Sequence, residues 1–113
     1  MSVSLGVYKG KNYYDDDCEL VDDRPVSFQR VWNRVWDRAI AECKIRIFNN
    51  CCYFSVNQIP EILEELDRIY EWVQINGGED TNYISERIHD ELKPSLIHFY
   101  REHKDEDYWL DLG

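Results

Sequence analysis

The chain has little of the material from which phosphate-binding, metal-binding and membrane-spanning segments are built. Five glycines and three prolines occur among 113 residues, and no GxGxxG, P-loop or GxSxG pattern is present. The four cysteines form no CxxC pair, and the three histidines form no HExxH arrangement. No stretch approaches the roughly 20 apolar residues that span a bilayer, and none has the form of a signal peptide. We therefore predict a cytoplasmic protein that is not an enzyme and needs no cofactor or metal.

Basic residues are also scarce. The sequence has 13 Lys and Arg against 23 Asp and Glu, which gives a formal net charge of −10. Nucleic-acid binding depends on basic side chains that neutralise phosphates, and anionic membranes repel the same negative field. The charge excludes both as direct partners and favours fast association with a basic protein or a cation. It leaves the oligomeric state open.

Aromatic residues, in contrast, are abundant. Four Trp, eight Tyr and four Phe make up 14% of the chain, and hydrophobic residues make up 43%. This composition is far from that of a disordered chain, and the length fits one domain covering 1–113. Rings of this size are divided between a core and recognition surfaces. The sequence therefore predicts a small folded domain that also binds a partner.

The order of periodic segments predicts an α+β fold. Alternating Val3, Leu5 and Val7 indicate a strand, and 9–25 is interpreted as a turn or loop, with CELV as a possible extended stretch beside that strand. An apolar stripe from Phe28 to Cys43 predicts a helix capped by Ser27. Alternation on both sides of the Asn pair at 49–50 predicts a hairpin near 44–56, and a helix that breaks into a loop is the alternative.

Two further helical regions follow. One begins near Asn57 and ends at Gly77-Gly78, and the next covers 82–103, where Pro94 is expected to kink or divide it. Trp109, Leu110 and Leu112 in the acidic tail predict that it folds back. The result is a small, mostly antiparallel sheet packed against three to four helices. An all-α bundle is the alternative if the predicted strands are loops.

The segment YYDDDCELVDD at 13–23 carries six carboxylates. Asp15, Asp17 and Glu19 have the spacing with which an EF-hand begins, but Leu20 occupies the position of the required glycine and Val26 that of the bidentate Glu. Calcium binding is thereby excluded. A second acidic run at 105–107 precedes Tyr108 and Trp109. Carboxylates beside rings combine electrostatic steering with anchor groups; the alternative is that acids solubilise the surface while rings complete the core.

The charge is distributed unevenly. Residues 27–48 carry +3, whereas 1–26, 49–76 and 77–113 carry −3, −4 and −6. Arg30, Arg34 and Arg38 lie along one face of the first predicted helix, where we expect them to pair with carboxylates; a phosphate-binding stripe is the functional alternative. The cysteines, including the adjacent pair Cys51-Cys52, are interpreted as free buried thiols rather than redox groups.

The plan of MSVSLGVY, FQRVWNRVWDRAI and IPEILEELDRIYEWV resembles that of the small acidic immunity proteins of bacterial toxin systems, including contact-dependent and polymorphic toxins. This resemblance implies an inhibitor that binds one cognate, basic toxin domain, often a nuclease, in a 1:1 complex. Its carboxylates would occupy the positions of phosphates in a basic groove. The residues assigned to partner contact are Tyr13, Tyr14, Asp15, Asp16, Asp17, Asp22 and Asp23. The alternative contact face comprises Glu64, Glu65, Asp67 and Glu71.

Two other functions remain open at this stage. The first is a DNA mimic that inhibits a nucleic-acid-binding protein, although the basic stripe at 30–38 interrupts its charge pattern. The second is a small enzyme or regulator, for which Cys52 with His89 or His98 would be a candidate pair.

Overall fold

A computed structural model describes residues 2–14, 16–49 and 52–113. Four described strands form one antiparallel sheet: β1 (Ser2–Lys9), β2 (Glu19–Phe28), β3 (Cys52–Ser55) and β4 (Tyr108–Leu112), in the spatial order β2-β1-β4-β3. Three helices pack on the sheet, and the fold is α+β as predicted. The all-α alternative is wrong.

The first helix, α1, follows β2 directly. It consists of the α-helical stretch Gln29–Val31, the π-helical stretch Trp32–Trp36 and the α-helical stretch Asp37–Glu42. Trp32 and Trp36 are fully buried, and their rings stack with centroids 5.1 Å apart. The turn of a π-helix is wider than that of an α-helix. The predicted helix is confirmed, but the apolar stripe did not reveal its π-helical centre.

The second helix, α2, spans Ile59–Asn76 and follows a 3₁₀ turn at Val56–Gln58. The side chains of Ser55 and Gln58 form a capping box at that turn, which satisfies two otherwise unpaired amides. The helix ends at Gly77, and Gly78 adopts a φ of 59°, a conformation that glycine tolerates best. The predicted start and end of this helix are confirmed to within two residues.

The third helix, α3, follows a 3₁₀ turn at Gly78–Asp80. It joins Thr81–Glu86, the π-helical stretch Arg87–Leu92 and Lys93–His103 without interruption. Pro94 therefore does not divide it. Proline donates no amide hydrogen bond and crowds the carbonyl four residues earlier, which is Asp90 here. The π-helical stretch, whose turn is wider, contains Asp90 and so lies where the helix must accommodate the proline.

The predicted loop at 9–25 is wrong over 22–25, and the possible extended stretch CELV beside the first strand is confirmed over 19–21, where β2 (19–28) begins. In β2, Ser27 is opposite Val3 and Arg24 is opposite Leu5. Polar side chains therefore occupy positions at which a strand with one buried face would carry apolar ones. Irregularities in the register between Val3 and Ser4 and between Val7 and Tyr8 further disturb the period. Ser27 consequently lies in β2, where its hydroxyl donates to the Phe28 carbonyl at 3.0 Å, and does not cap α1.

The predicted hairpin near 44–56 is wrong in its first strand, whereas its second strand is observed as β3. The alternative, a helix that breaks into a loop, agrees with the end of α1 at Glu42 and the irregular residues that follow. Residues 44–49 form turns and bends, β3 pairs with β4, and the Asn50-Cys51 part of the prediction lies outside the described residues. The segment is instead held by a carboxylate of α2, since Glu65 accepts hydrogen bonds from the amides of Arg46 (2.8 Å), Ile47 (3.2 Å) and Phe48 (2.8 Å). The predicted return of the tail is confirmed, because it supplies β4.

The core lies between the helices and one face of the sheet, called here the inner face. Val3, Leu5 and Val7 of β1 point into it, as do Leu110 and Leu112 of β4. Successive side chains of a strand alternate between the two faces of a sheet. The opposite face, called here the outer face, therefore carries the alternate residues of the same strands. None of the helices in the described part of the chain covers it.

Candidate aromatic and acidic binding face

Five aromatic side chains meet on the outer face and are called here the aromatic cluster: Tyr8, Tyr13, Tyr14, Tyr53 and Trp109. Tyr13 stacks on Tyr53 with ring centroids 4.4 Å apart and an interplanar angle of 8°. Tyr14 meets Tyr53 edge-on at 5.1 Å, and Tyr8 meets Tyr13 edge-on at 5.5 Å. Trp109 lies 5.9 Å from Tyr53. Residues far apart in the sequence therefore form one continuous set of rings.

Strand pairing explains how these rings come together. Tyr8 of β1 is opposite Trp109 of β4, and Tyr53 of β3 is opposite Asp111 of β4. Cross-strand partners share one face of an antiparallel sheet. The three strands thus bring Tyr8, Trp109 and Tyr53 to the outer face.

The acidic loop folds over these strands and is held in place by the backbone. The amide of Gly10 donates to the Asp107 carbonyl at 2.9 Å, and the indole N–H of Trp109 donates to the Lys11 carbonyl at 3.2 Å. These bonds tie the start of the loop to the residues that lead into β4. Tyr13 and Tyr14 are thereby brought onto the outer face.

A carboxylate lies within the aromatic cluster. The Tyr13 hydroxyl donates to Oδ2 of Asp111 at 2.7 Å. Asp111 is opposite Gly6 of β1, and a Cβ at Gly6 would lie 2.6 Å from Oδ1 of Asp111 and 3.0 Å from the Tyr8 ring. Glycine is therefore required at this position for the carboxylate and the ring to keep their places.

The same arrangement keeps two tyrosines protonated. The hydrogen bond to Asp111, followed by burial, raises the pKa of Tyr13 far above its usual value. Burial, followed by the negative charge of Asp111, raises the pKa of Tyr8. Both hydroxyls therefore keep their protons to a higher pH than an exposed tyrosine does, and Tyr13 acts as a donor that fixes the Asp111 carboxylate.

The predicted acidic contacts of the loop and β2 are exposed where the structure describes them. Asp16 and Asp17 are exposed in the loop, and Asp15 lies outside the described residues. Asp23 is exposed and is paired with Gly6, which places it on the outer face. Asp22 is also exposed, but it is paired with Val7, whose side chain points to the inner face. It forms an ion pair with Arg24 at 2.7 Å. Asp16, Asp17 and Asp23 are therefore the carboxylates that accompany the aromatic cluster.

The alternative acidic face on α2 is divided by its own packing. Glu64 and Glu71 are exposed, while Asp67 is bound to Lys93 of α3. Glu65 is only 5% exposed, and its carboxylate accepts hydrogen bonds from backbone amides of 46–48. The expectation that it lies exposed on the alternative contact face is therefore wrong. The structure does not bring this helix together with the outer face, because α2 belongs to the helical layer.

The basic stripe of α1 has three different environments. Arg34 forms a two-pronged ion pair with Asp80 at 2.7 and 2.8 Å, and this bond raises the pKa of its guanidinium. Arg30 lies over the Phe28 ring and Arg38 over the Trp72 ring, each at 5.3 Å. The predicted pairing with carboxylates is therefore observed for Arg34, whereas the other two stack on rings.

The described edge of β2 is protected against strand addition. The Asp22 side chain accepts the amide of Asp23 at 2.9 Å, Pro25 has no amide hydrogen, and the Arg87 guanidinium donates to the carbonyls of Pro25 and Val26. Such features keep an edge strand from pairing with another chain.

The residues considered for catalysis and redox chemistry lie in separate places. Cys52 is a free, half-buried thiol in β3. His89 and His98 are on α3, beside Asp90 and Glu102 respectively. Cys51 lies outside the described residues. Among 2–14, 16–49 and 52–113, no three His, Cys, Asp or Glu side chains are gathered as metal ligands would be.

Sequence reasoning identified the loop tyrosines and acids but missed Tyr8, Tyr53 and Asp111 as members of the same site. Trp109 was recognised as a ring beside acids, although its contact with the loop was not. The available signal was the alternation of Tyr8 with Val7 and of Trp109 and Asp111 with Leu110 and Leu112. This alternation shows which residues of one strand share a face. It places residues of different strands on a common face only when the order of the strands is known.

A comparison with protein-family models, curated proteins and solved structures found no match to this chain. No helix in the described part of the chain combines the length and apolar character needed to cross a membrane.

Proposed function

We propose that this protein is a cytoplasmic immunity-type inhibitor that binds a basic toxin domain, such as a nuclease, in a 1:1 complex. The observation that carries the proposal is the aromatic cluster on the helix-free face of the sheet, accompanied by Asp16, Asp17 and Asp23. Partly exposed rings supply contact area, and the carboxylates supply charge complementary to a phosphate-binding groove.

Electrostatics supports a protein partner of positive charge. A net charge of −10 on 113 residues repels phosphates and attracts basic surfaces before contact. The rings then provide the short-range contribution, because buried aromatic anchors commonly dominate binding energy. The cluster is held by strand pairing and hydrogen bonds, so little ordering is required when the partner binds.

The test is co-expression with the C-terminal domain of the toxin that we expect to be encoded beside this protein. We expect the wild-type protein to restore growth and to form a 1:1 complex by light scattering. The association rate should fall about tenfold between low and high salt, because screening removes electrostatic steering. A combined Asp16→Asn, Asp17→Asn and Asp23→Asn variant should associate more slowly.

The matched control is the pair Glu64→Gln and Glu71→Gln, which removes exposed charge from α2 and should slow association less. Absence of both growth rescue and complex formation would overturn the proposed function. A complex whose association rate is independent of salt and of the three aspartates would overturn the assignment of the outer face.

A further inference from the structure

The ring of Tyr14 is the most accessible member of the aromatic cluster. It is 76% exposed, and its contacts with Tyr13 and Tyr53 are edge-on, with interplanar angles of 75° and 82°. Tyr53 is itself 37% exposed. The two rings stand nearly perpendicular and form a corner, and Tyr14 leaves most of its surface exposed to solvent.

Elsewhere in the described structure, the protein places its own cations over rings that range from exposed Phe28 to buried Phe99. Centroid distances of 5.3 to 6.0 Å are found for four such pairs: Arg30 over Phe28, Arg38 over Trp72, Arg24 over Phe99 and Lys9 over Tyr108. None of these described contacts involves a ring of the aromatic cluster. The corner at Tyr14 and Tyr53 thus lacks the kind of partner that the other rings have.

Four carboxylates belong to the loop and to the sheet face that carry these rings. Asp16 and Asp17 follow Tyr14 in the same loop, and Asp23 and Asp111 lie on the outer face on either side of Gly6. An aromatic face attracts a cation through its quadrupole, and neighbouring carboxylates add Coulomb attraction. Together they favour a cationic side chain over a neutral one.

We propose that the corner formed by Tyr14 and Tyr53 is a binding site for an arginine side chain of the basic partner, an inference that rests on the proposed function. A guanidinium is planar and weakly hydrated, so it stacks on a ring while donating to carboxylates at its edge. The ammonium of lysine is compact and strongly hydrated and gains less from the ring. The site therefore distinguishes arginine from lysine of equal charge.

The experiment uses the intact protein with hexa-arginine and hexa-lysine peptides, whose dissociation constants are measured by calorimetry at the same salt concentration. We expect the wild type to bind hexa-arginine about three- to tenfold more tightly, which corresponds to the usual strength of a partly exposed cation–π contact. Tyr14→Ala should reduce this ratio to about one. Tyr14→Phe keeps the ring and should preserve the ratio.

Two control variants distinguish the effect of the Tyr14 ring from the effect of negative charge and from that of any exposed ring. Asp16→Asn with Asp17→Asn should weaken both peptides by similar factors and leave the ratio unchanged. Phe28→Ala removes another exposed ring, 52% exposed and already beneath Arg30, and should also leave the ratio unchanged. Tyr14 is so exposed that its replacement should not unfold the protein, which circular dichroism checks.

Equal affinity of the wild type for both peptides overturns the proposal, as does an unchanged ratio in Tyr14→Ala. Either result leaves the immunity function standing if growth rescue is observed. Conversely, arginine preference without growth rescue or a toxin complex overturns the immunity function and leaves a cation-binding surface.

Discussion

Replacement of Glu65 should destabilise the protein far more than replacement of its neighbour Glu64. Glu65 is 5% exposed, and its two oxygens accept the amides of Arg46 and Phe48 at 2.8 Å, with that of Ile47 shared between them at 3.2 Å. The carboxylate thereby satisfies three backbone donors of a segment that has no strand partner. Its loss would leave them without an acceptor.

The magnitude follows from the individual bonds. A hydrogen bond to a charged acceptor contributes about 1.5 to 3 kcal/mol, and an unsatisfied buried donor costs about 1 to 3 kcal/mol. Glu65→Gln keeps one oxygen but directs an NH₂ group toward an amide donor, so we expect a loss of about 2 kcal/mol. Glu65→Ala removes both oxygens and should cost about 3 to 5 kcal/mol.

The assay is urea unfolding followed by circular dichroism. With the slope usual for small proteins, Glu65→Gln should lower the unfolding midpoint by about 1 to 2 M. Glu64→Gln on the exposed side of the same helix should change the free energy of unfolding by less than about 0.5 kcal/mol. Equal effects of the two substitutions, or a midpoint of Glu65→Gln that matches the wild type, would refute the structural role of this carboxylate.

Three further changes have defined outcomes. Gly6→Ala should destabilise the protein by about 1 to 3 kcal/mol in urea unfolding, because its Cβ would lie 2.6 Å from Oδ1 of Asp111, and truncating that carboxylate in Asp111→Ala should reduce the effect. The pKa of Tyr13 is raised in the folded state, so the hydroxyl contributes its full stabilisation below about pH 10 and loses it progressively as the pH rises above that value. In Tyr13→Phe, the free energy of unfolding should therefore decrease less steeply with pH above about pH 10 than in the wild type. Asp80→Asn breaks the two-pronged bond with Arg34 and should lower the Tm measured by calorimetry, whereas an unchanged Tm would show that the pair does not contribute to stability.

The helices were predictable because long amphipathic stripes carry strong signals. The apolar stripe of α2 and the two glycines that follow it predict limits for this helix that lie within two residues of the observed ones. The path of the chain at 44–49 was not predictable, because it depends on a tertiary bond from Glu65 rather than on local alternation. A carboxylate on a helix is expected to be solvated, and only packing reveals that this one is buried.

The candidate site was predictable in chemistry but not in extent. The adjacent tyrosines and acids of the loop stand out in the sequence, whereas Tyr53 and Asp111 are brought to them by the order of the strands. Only the CELV part of β2 is predictable as an extended stretch, because β2 is an irregular edge strand whose exposed acids and Pro25 are typical of loops. Its position nevertheless places Asp23 beside the rings.

The central position of β4 has a kinetic consequence. Its residues pair with those of β1 about a hundred positions earlier, and Ser4 and Gly113 exchange both backbone hydrogen bonds at 3.0 Å. Pairing across so long a separation slows folding, because the chain must close a large loop before the contact forms. β3 is also joined to the sheet through β4. Newly made molecules therefore complete the aromatic cluster only after residues 108–112 have docked, so the proposed binding by the outer face would lag behind synthesis by the folding time.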